Sequence, residues 1–198
     1  IADVPDAELL AAFARHEHEA EVPYTGYREV LGLTLRALAA ERGLPSSAAA
    51  EAAFGASVAD WPAFPDSHDA LVRLQERFRL VVITNCDDDL FAASEERLGV
   101  RFDEVVTAQQ LGSYKPDVRN FHLAHARIAE RFGVPATRIL HVAQSLFHDH
   151  VPAKALGMTT VWIDRRHDKT GFGATPPADA TPDLVVPDLR TLADLALG

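Results

Sequence analysis

Apolar positions fall at helical spacing through the first third of the chain and then change period. Residues 6–20 place Leu9, Leu10 and Phe13 on one face, with Pro5 and Asp6 at the start. Residues 27–42 repeat the pattern with Val30, Leu31, Leu35 and Leu38, and Gly43 is placed to stop it. An Ala-rich third helix is predicted over 46–55, entered through Ser46 and Ser47. Two prolines in WPAFPDS then break the run. A domain boundary is placed there, with a helical unit over 1–62 and a second unit over 63–198.

From Asp66 onward, amphipathic helices alternate with short, continuous apolar runs: LVVIT, EVVTA, RILHVA, TTVWI and DLVV. Runs of that kind suit strands buried on both faces of a parallel sheet. The alternation predicts an α/β class, a Rossmann-like parallel sheet core with an N-terminal helical cap subdomain. The segment 171–182 is a Gly/Pro/Ala loop.

Ligands of open parallel sheets sit at the carboxyl ends of the strands. Three polar segments fall at such ends: Thr84-Asn85 after LVVI, Ser113-Tyr114-Lys115-Pro116-Asp117 after EVVTA, and the turn after RILHVA, which holds Gln144, Ser145, His148 and Asp149. Together they predict one site. Lys115 precedes a proline and is therefore expected on an extended turn.

Composition adds bounds. The 198 residues are 47% hydrophobic and 24% charged, enough for one medium domain with a real core. A net charge of -10 argues against nonspecific nucleic-acid binding, which needs a basic stripe. It leaves room for a small anionic substrate held by a local cation. Cys86 is the only cysteine, so an internal disulfide is excluded and a reducing, cytoplasmic setting is expected. No apolar run nears the ~20 residues of a membrane span, and the start IADVPDAELL lacks a signal-peptide pattern. The chain begins with Ile1, not Met, so an upstream segment is expected.

In this order and at these strand ends, ITN, SYKPD, HVAQSLFHDHVPAKALG and TVWIDRR make the chain resemble the haloacid dehalogenase superfamily, closest to its type II, or L-2-haloacid, branch. The resemblance covers essentially the whole chain and implies a hydrolase needing no cofactor. It implies that Lys115 pairs with a nucleophilic carboxylate and with substrate charge, that Asp149 positions or activates water, and that Thr84 and Asn85 hydrogen-bond the reacting group. Gln144 stands where the superfamily's phosphatases carry a metal-binding acid, so metal binding is not expected. With Ser145 and His148, Gln144 would line the substrate pocket.

The family uses a cap arginine to receive the halide, and Arg15 is the candidate, although a solvated surface arginine is the favoured reading of it. Phe121 stands where better-known dehalogenases have Tyr, and Leu146 where they have Asn. Phe121 also lies on an apolar helix face, which core packing explains. Cys86 reads as a small buried residue, with no adjacent base to activate it. A homodimer is expected from the family alone.

The family's nucleophile is an Asp in an Asp-x-x-x-Thr setting at the end of the first core strand. Asp103 and Thr107 have the spacing, but Asp103 precedes its strand; Asp164 ends a strand, but Asp168 stands four residues on. The expectation is that the nucleophile's strand precedes this sequence and lies between the strands ending at Thr84 and near Gln144. A phosphatase of the same superfamily and a non-catalytic binding module are the alternatives.

Overall fold

The computed structural model describes residues 4–198, and Ile1 lies outside them. Helices α1 (Asp6–Ala20), α2 (Tyr27–Glu41) and α3 (Ala48–Ala56) come first, followed by a 3-10 turn, Ser57–Asp60. Gly43, at φ 65°, ends α2, with the Leu44 N–H reaching back to the Ala39 carbonyl. That contact satisfies a helix-terminal carbonyl in the left-handed exit only glycine adopts readily. The Ser47 hydroxyl caps α3 by accepting from the Ala50 N–H. Gly55 lets α3 press on α2, since a Cβ there would lie 2.4 Å from the Arg28 carbonyl oxygen.

The second unit holds α4 (Ser67–Gln75), β1 (Val81–Thr84), α5 (Asp88–Leu98), β2 (Glu104–Thr107), α6 (Ala108–Leu111) and α7 (Val118–Phe132). It continues with β3 (Leu140–Ala143), a wide i→i+5 turn over Leu146–His150, α8 (Val151–Ala155), β4 (Thr159–Ile163), β5 (Leu184–Val186) and α9 (Leu189–Leu197). All five apolar runs are strands. α4 stops at Gln75, and the chain turns there to enter β1. The helix expected after β3 begins as the wide turn and becomes regular only at Val151.

Every strand pairing is parallel, but the sheet is in two pieces. β1 pairs with β2, setting Thr84 opposite Thr107. β4 is central to the other piece, between β3 and β5. The edge of β1 away from β2 and the edge of β3 away from β4 carry no strand among the described residues. Both strands are apolar, yet β1 is only half-buried throughout and Leu140 of β3 is exposed. The pieces are held as neighbours: Ile83 and Ile139 flank one buried cluster of Phe121, Ala153 and Met158.

The helical unit is welded to the rest. Tyr27, Val30, Leu31 and Val58 share a buried cluster with Leu90, Ala108 and Tyr114. The buried Asp87 carboxylate, at the start of α5, accepts from the Tyr27 and Arg28 N–H groups at 3.0 and 3.3 Å. It thus supplies orphan amides at the start of α2 with an acceptor from a different part of the chain. At the linker between units, Asp66 takes a two-pronged ion pair from Arg165 (2.8 and 3.1 Å) and the Leu189 N–H at 2.8 Å.

Candidate active site

Lys115 sits where the two sheet pieces meet. Its Nζ donates to the Ile83 carbonyl of β1 at 3.0 Å and to Asp149 Oδ1 at 2.8 Å. Asn85 fixes the lysine's backbone: its Oδ1 accepts from the Lys115 N–H (2.7 Å) and its Nδ2 donates to the Lys115 carbonyl (3.2 Å). The ammonium therefore leaves a held peptide and ends on two fixed acceptors. Little orientational freedom is left in such a group, so it acts as a preset charge.

Asp149 is set by the wide turn. Its N–H and that of His150 both donate to the Ser145 carbonyl, each at 3.3 Å, while the Ser145 hydroxyl accepts from the His148 N–H at 3.0 Å. A local widening of this kind re-aims a side chain, and such turns recur at functional sites. His141 Nε2 of β3 lies 3.1 Å from the same Oδ1 that Lys115 reaches. Burial alone would raise the Asp149 carboxyl, but Lys115 and His141 outweigh it and hold the acid far below the ordinary carboxylate range. Asp149 is thus an ionised, buried counter-ion.

A cleft of about 220 Å³ opens above this pair. Asn85, Lys115, His148 and Asp149 form its core side. Burial and the Lys115 ammonium push His148 down to about 4, so its ring is neutral at ordinary pH. The cap side brings Phe13, Glu17, Glu21, Tyr27 and Trp61. Glu17 and Glu21 are 8% and 6% exposed. Burial raises Glu17 to about 7, and burial with repulsion from Glu17 raises Glu21 to about 8. The Tyr27 hydroxyl donates to Glu17 at 2.5 Å, and Asn85 Nδ2 donates to Glu21 at 3.2 Å.

The structure therefore gathers Lys115, Asp149, Asn85 and His148 around one cleft, and Thr84, Gln144 and Ser145 support it from behind. Thr84 Oγ1 accepts from the Cys86 N–H, and the Gln144 carbonyl accepts from the Trp162 indole at 2.8 Å. Two expected residues lie elsewhere. Arg15 is exposed and turned to Glu41, 2.5 Å away, because its position on α1 faces the end of α2. Phe121 is fully buried beneath the site, its ring 5.2 Å from that of His141, because it belongs to the apolar face of α7. Burial raises the Cys86 thiol, as suits an inert residue.

Sequence reasoning missed Glu17, Glu21, Tyr27, Trp61 and His141. The acids carried a readable signal: Phe13, Glu17 and Glu21 recur every four residues, so the two carboxyls continue the apolar face of α1. His141 carried a fainter one, as a polar residue inside an otherwise apolar strand.

The donor set does not fit a hard divalent ion. Gln144 offers an amide and Asp149 Oδ1 is shared by Lys115 and His141. Among the described residues no three His, Cys, Asp or Glu side chains are grouped to hold a metal. No helix there is long and apolar enough to cross a membrane.

No family model matches the chain. It is 33% identical over 131 residues to the 5-amino-6-(5-phospho-D-ribitylamino)uracil phosphatase YigB of Escherichia coli (strain K12), covering 65% of this chain and 50% of that protein. It is 29% identical over 137 residues to the (S)-2-haloacid dehalogenase of Pseudomonas putida, covering 67% of this chain and 54% of that protein. The chain thus spans about half the length of the curated relatives it matches. Among solved structures, the L-2-haloacid dehalogenase RSc1362 superposes with a TM-score of 0.78 at 25% identity, over 96% of this chain and 86% of that one. Together with the strand-end residues in that order and geometry, these likenesses support kinship with the haloacid dehalogenase superfamily, in which the chain resembles the type II branch.

Proposed function

We propose that this chain supplies the cap and most of the core of a 2-haloacid dehalogenase-like hydrolase. The observation that carries the reading is the half-buried Lys115 ammonium, fixed at the carboxyl end of the β1 edge and facing the cleft. In this reading a further parallel strand lies between β1 and β3 and brings a nucleophilic carboxylate to Lys115. It would also give the half-buried edges of β1 and β3 their hydrogen-bond partners.

The chemistry is then a double displacement. A carboxylate oxygen attacks the carbon bearing the halogen, the carbon–halogen bond breaks, and halide leaves with the bonding pair. Water next adds to the carbonyl of the resulting ester, releasing a 2-hydroxy acid and restoring the carboxylate, and one proton passes to solvent. Lys115 keeps the carboxylate ionised and offsets charge in both steps. Asn85 holds the lysine's peptide, and Thr84 braces the turn that presents Asn85. Asp149 acts chiefly by aiming Lys115, because a carboxylate held so far below its ordinary range is a weak base toward water.

A phosphatase is the second reading, favoured by the 33% identity to YigB. Gln144 and the engaged Asp149 weigh against it. The experiment compares the full-length protein on 2-chloropropionate and on p-nitrophenyl phosphate, with and without Mg²⁺. Halide release that is indifferent to Mg²⁺ supports the first reading. Mg²⁺-dependent phosphate release without halide release replaces it with the second.

A further inference from the structure

The cap side of the cleft has the wrong charge for a simple anion. Glu17 and Glu21 both line it, and among the described residues neither has a Lys or Arg within ion-pair distance. Their polar partners are the Tyr27 hydroxyl on Glu17 and, on Glu21, the Asn85 amide and His18 Nδ1 at 3.5 Å. Among the described residues the one ammonium in the cleft, Lys115, already points at Asp149 and the Ile83 carbonyl. Arg15, the cap's offered anion receptor, is paired to Glu41 away from the cleft.

Buried carboxyls without a cation either hold their protons or face a cation supplied from outside. Three aromatic side chains, Phe13, Tyr27 and Trp61, line the same wall, and Trp61 is 46% exposed. Acids among aromatic rings favour a cationic ligand twice, through charge and through the ring quadrupole. A carboxylate or halide placed there would meet repulsion from each glutamate that has lost its proton.

We propose that the end of the substrate lying against the cap carries a protonated amine, received between Glu17 and Glu21 and flanked by Phe13, Tyr27 and Trp61. The inference rests on the reading that this cleft holds the substrate of a hydrolase, with the reacting carbon beside Lys115. The substrate class is then a 2-halo carboxylate with an amine-bearing side chain, its carboxylate toward the core and its ammonium toward the cap. Ammonium entry displaces the protons that the two glutamates otherwise hold near neutral pH.

The test reads binding, not turnover. The full-length protein is labelled at its tryptophans and titrated with n-butylammonium, 1-butanol and butyrate at pH 8. Trp61 reports the cleft, and Trp162, hydrogen-bonded to the Gln144 carbonyl, serves as the fold control. The expected result is that butylammonium shifts Trp61 and saturates at a concentration at least tenfold below that of either other probe. Glu17→Gln and Glu21→Gln should each weaken butylammonium about tenfold, leave butanol unchanged and leave Trp162 in place.

Equal or weaker binding of butylammonium than of butanol overturns the inference in the wild-type chain alone, with no variant needed. A preference for butyrate overturns it too, and shows the glutamates acting as protonated donors to an anion. The outcomes separate from the hydrolase reading. Ammonium selection without halide release from any 2-halo acid keeps this inference and removes that reading; halide release without ammonium selection does the reverse.

Discussion

The two walls of the cleft solve the same problem, a buried charge, in opposite ways. On the core wall Asp149 is 6% exposed and fully compensated, with Lys115 at 2.8 Å and His141 at 3.1 Å on one oxygen. On the cap wall Glu17 and Glu21 are as deeply buried, and they have neutral hydrogen-bond donors where Asp149 has an ammonium. The same residue chemistry thus gives one acid pushed far down and two pushed up. The core wall is finished, so it can hold a fixed field for chemistry. The cap wall is left for a ligand to complete, which is where a shared fold can choose its substrate.

Breaking the core wall should produce the largest effect. Lys115→Met leaves Asp149 as a buried carboxylate with only His141 beside it. Removing one partner of such a pair costs about 3–5 kcal/mol, and losing a preset charge at the reacting centre costs about 10²–10³-fold in kcat. Urea unfolding of the chain and halide release by the full-length protein would measure the two losses. Asp149→Asn in the same assays should retain more stability than Lys115→Met, since the asparagine oxygen and the Ile83 carbonyl still accept from Lys115.

The cap wall predicts a pH signature of intermediate size. Glu17 and Glu21 have folded values near 7 and 8, above the 4.5 of the ordinary group. The folded chain therefore binds protons more tightly than the unfolded one. Their contribution to stability is fully present below about pH 4.5 and is lost as pH rises through 7 and 8. The upper bound is a drift of roughly 3 kcal/mol for Glu17 and roughly 5 kcal/mol for Glu21, at ~1.36 kcal/mol per pKa unit above 4.5. Chemical denaturation from pH 5 to 9 should show stability falling, and Glu17→Gln with Glu21→Gln should flatten the curve. Asp149 contributes the reverse sign, but only in strong acid, so the two walls separate along the pH axis.

Arg15→Ala should do least. Its partner Glu41 shares an exposed surface site, where solvent screening leaves such a pair little net stabilisation. Halide release and butylammonium binding should both stay within twofold of wild type. A large loss of halide release would restore Arg15 to the cleft and contradict the comparison drawn here.

The core wall was legible in the sequence and the cap wall was not, for a physical reason. Lys115, Asn85 and Asp149 lie at strand ends, and the short apolar runs mark those ends directly. Alternating strands and helices then bring the ends to one side of the sheet. Glu17, Glu21 and Trp61 come from a helix and a turn whose facing depends on how the cap packs. Tyr27 and Leu31 meeting Leu90 and Tyr114 decides that packing, and no local pattern announces it. Arg15 shows the cost: two positions of helical phase, roughly 200°, separate it from Phe13 and Glu17, which face the cleft. Phe121 shows the same limit in the other direction, since its apolar neighbours on α7 already pointed to the core.

In the proposed reaction Lys115 serves a carboxylate that becomes esterified. A single turnover of 2-chloropropionate by the full-length protein in H₂¹⁸O tests it most directly. The predicted result is unlabelled oxygen at the new hydroxyl of the product and a gain of about 2 Da on the protein, since water enters at the ester carbonyl. Product carrying ¹⁸O, with the protein mass unchanged, would mean that water attacks carbon directly and would contradict the account.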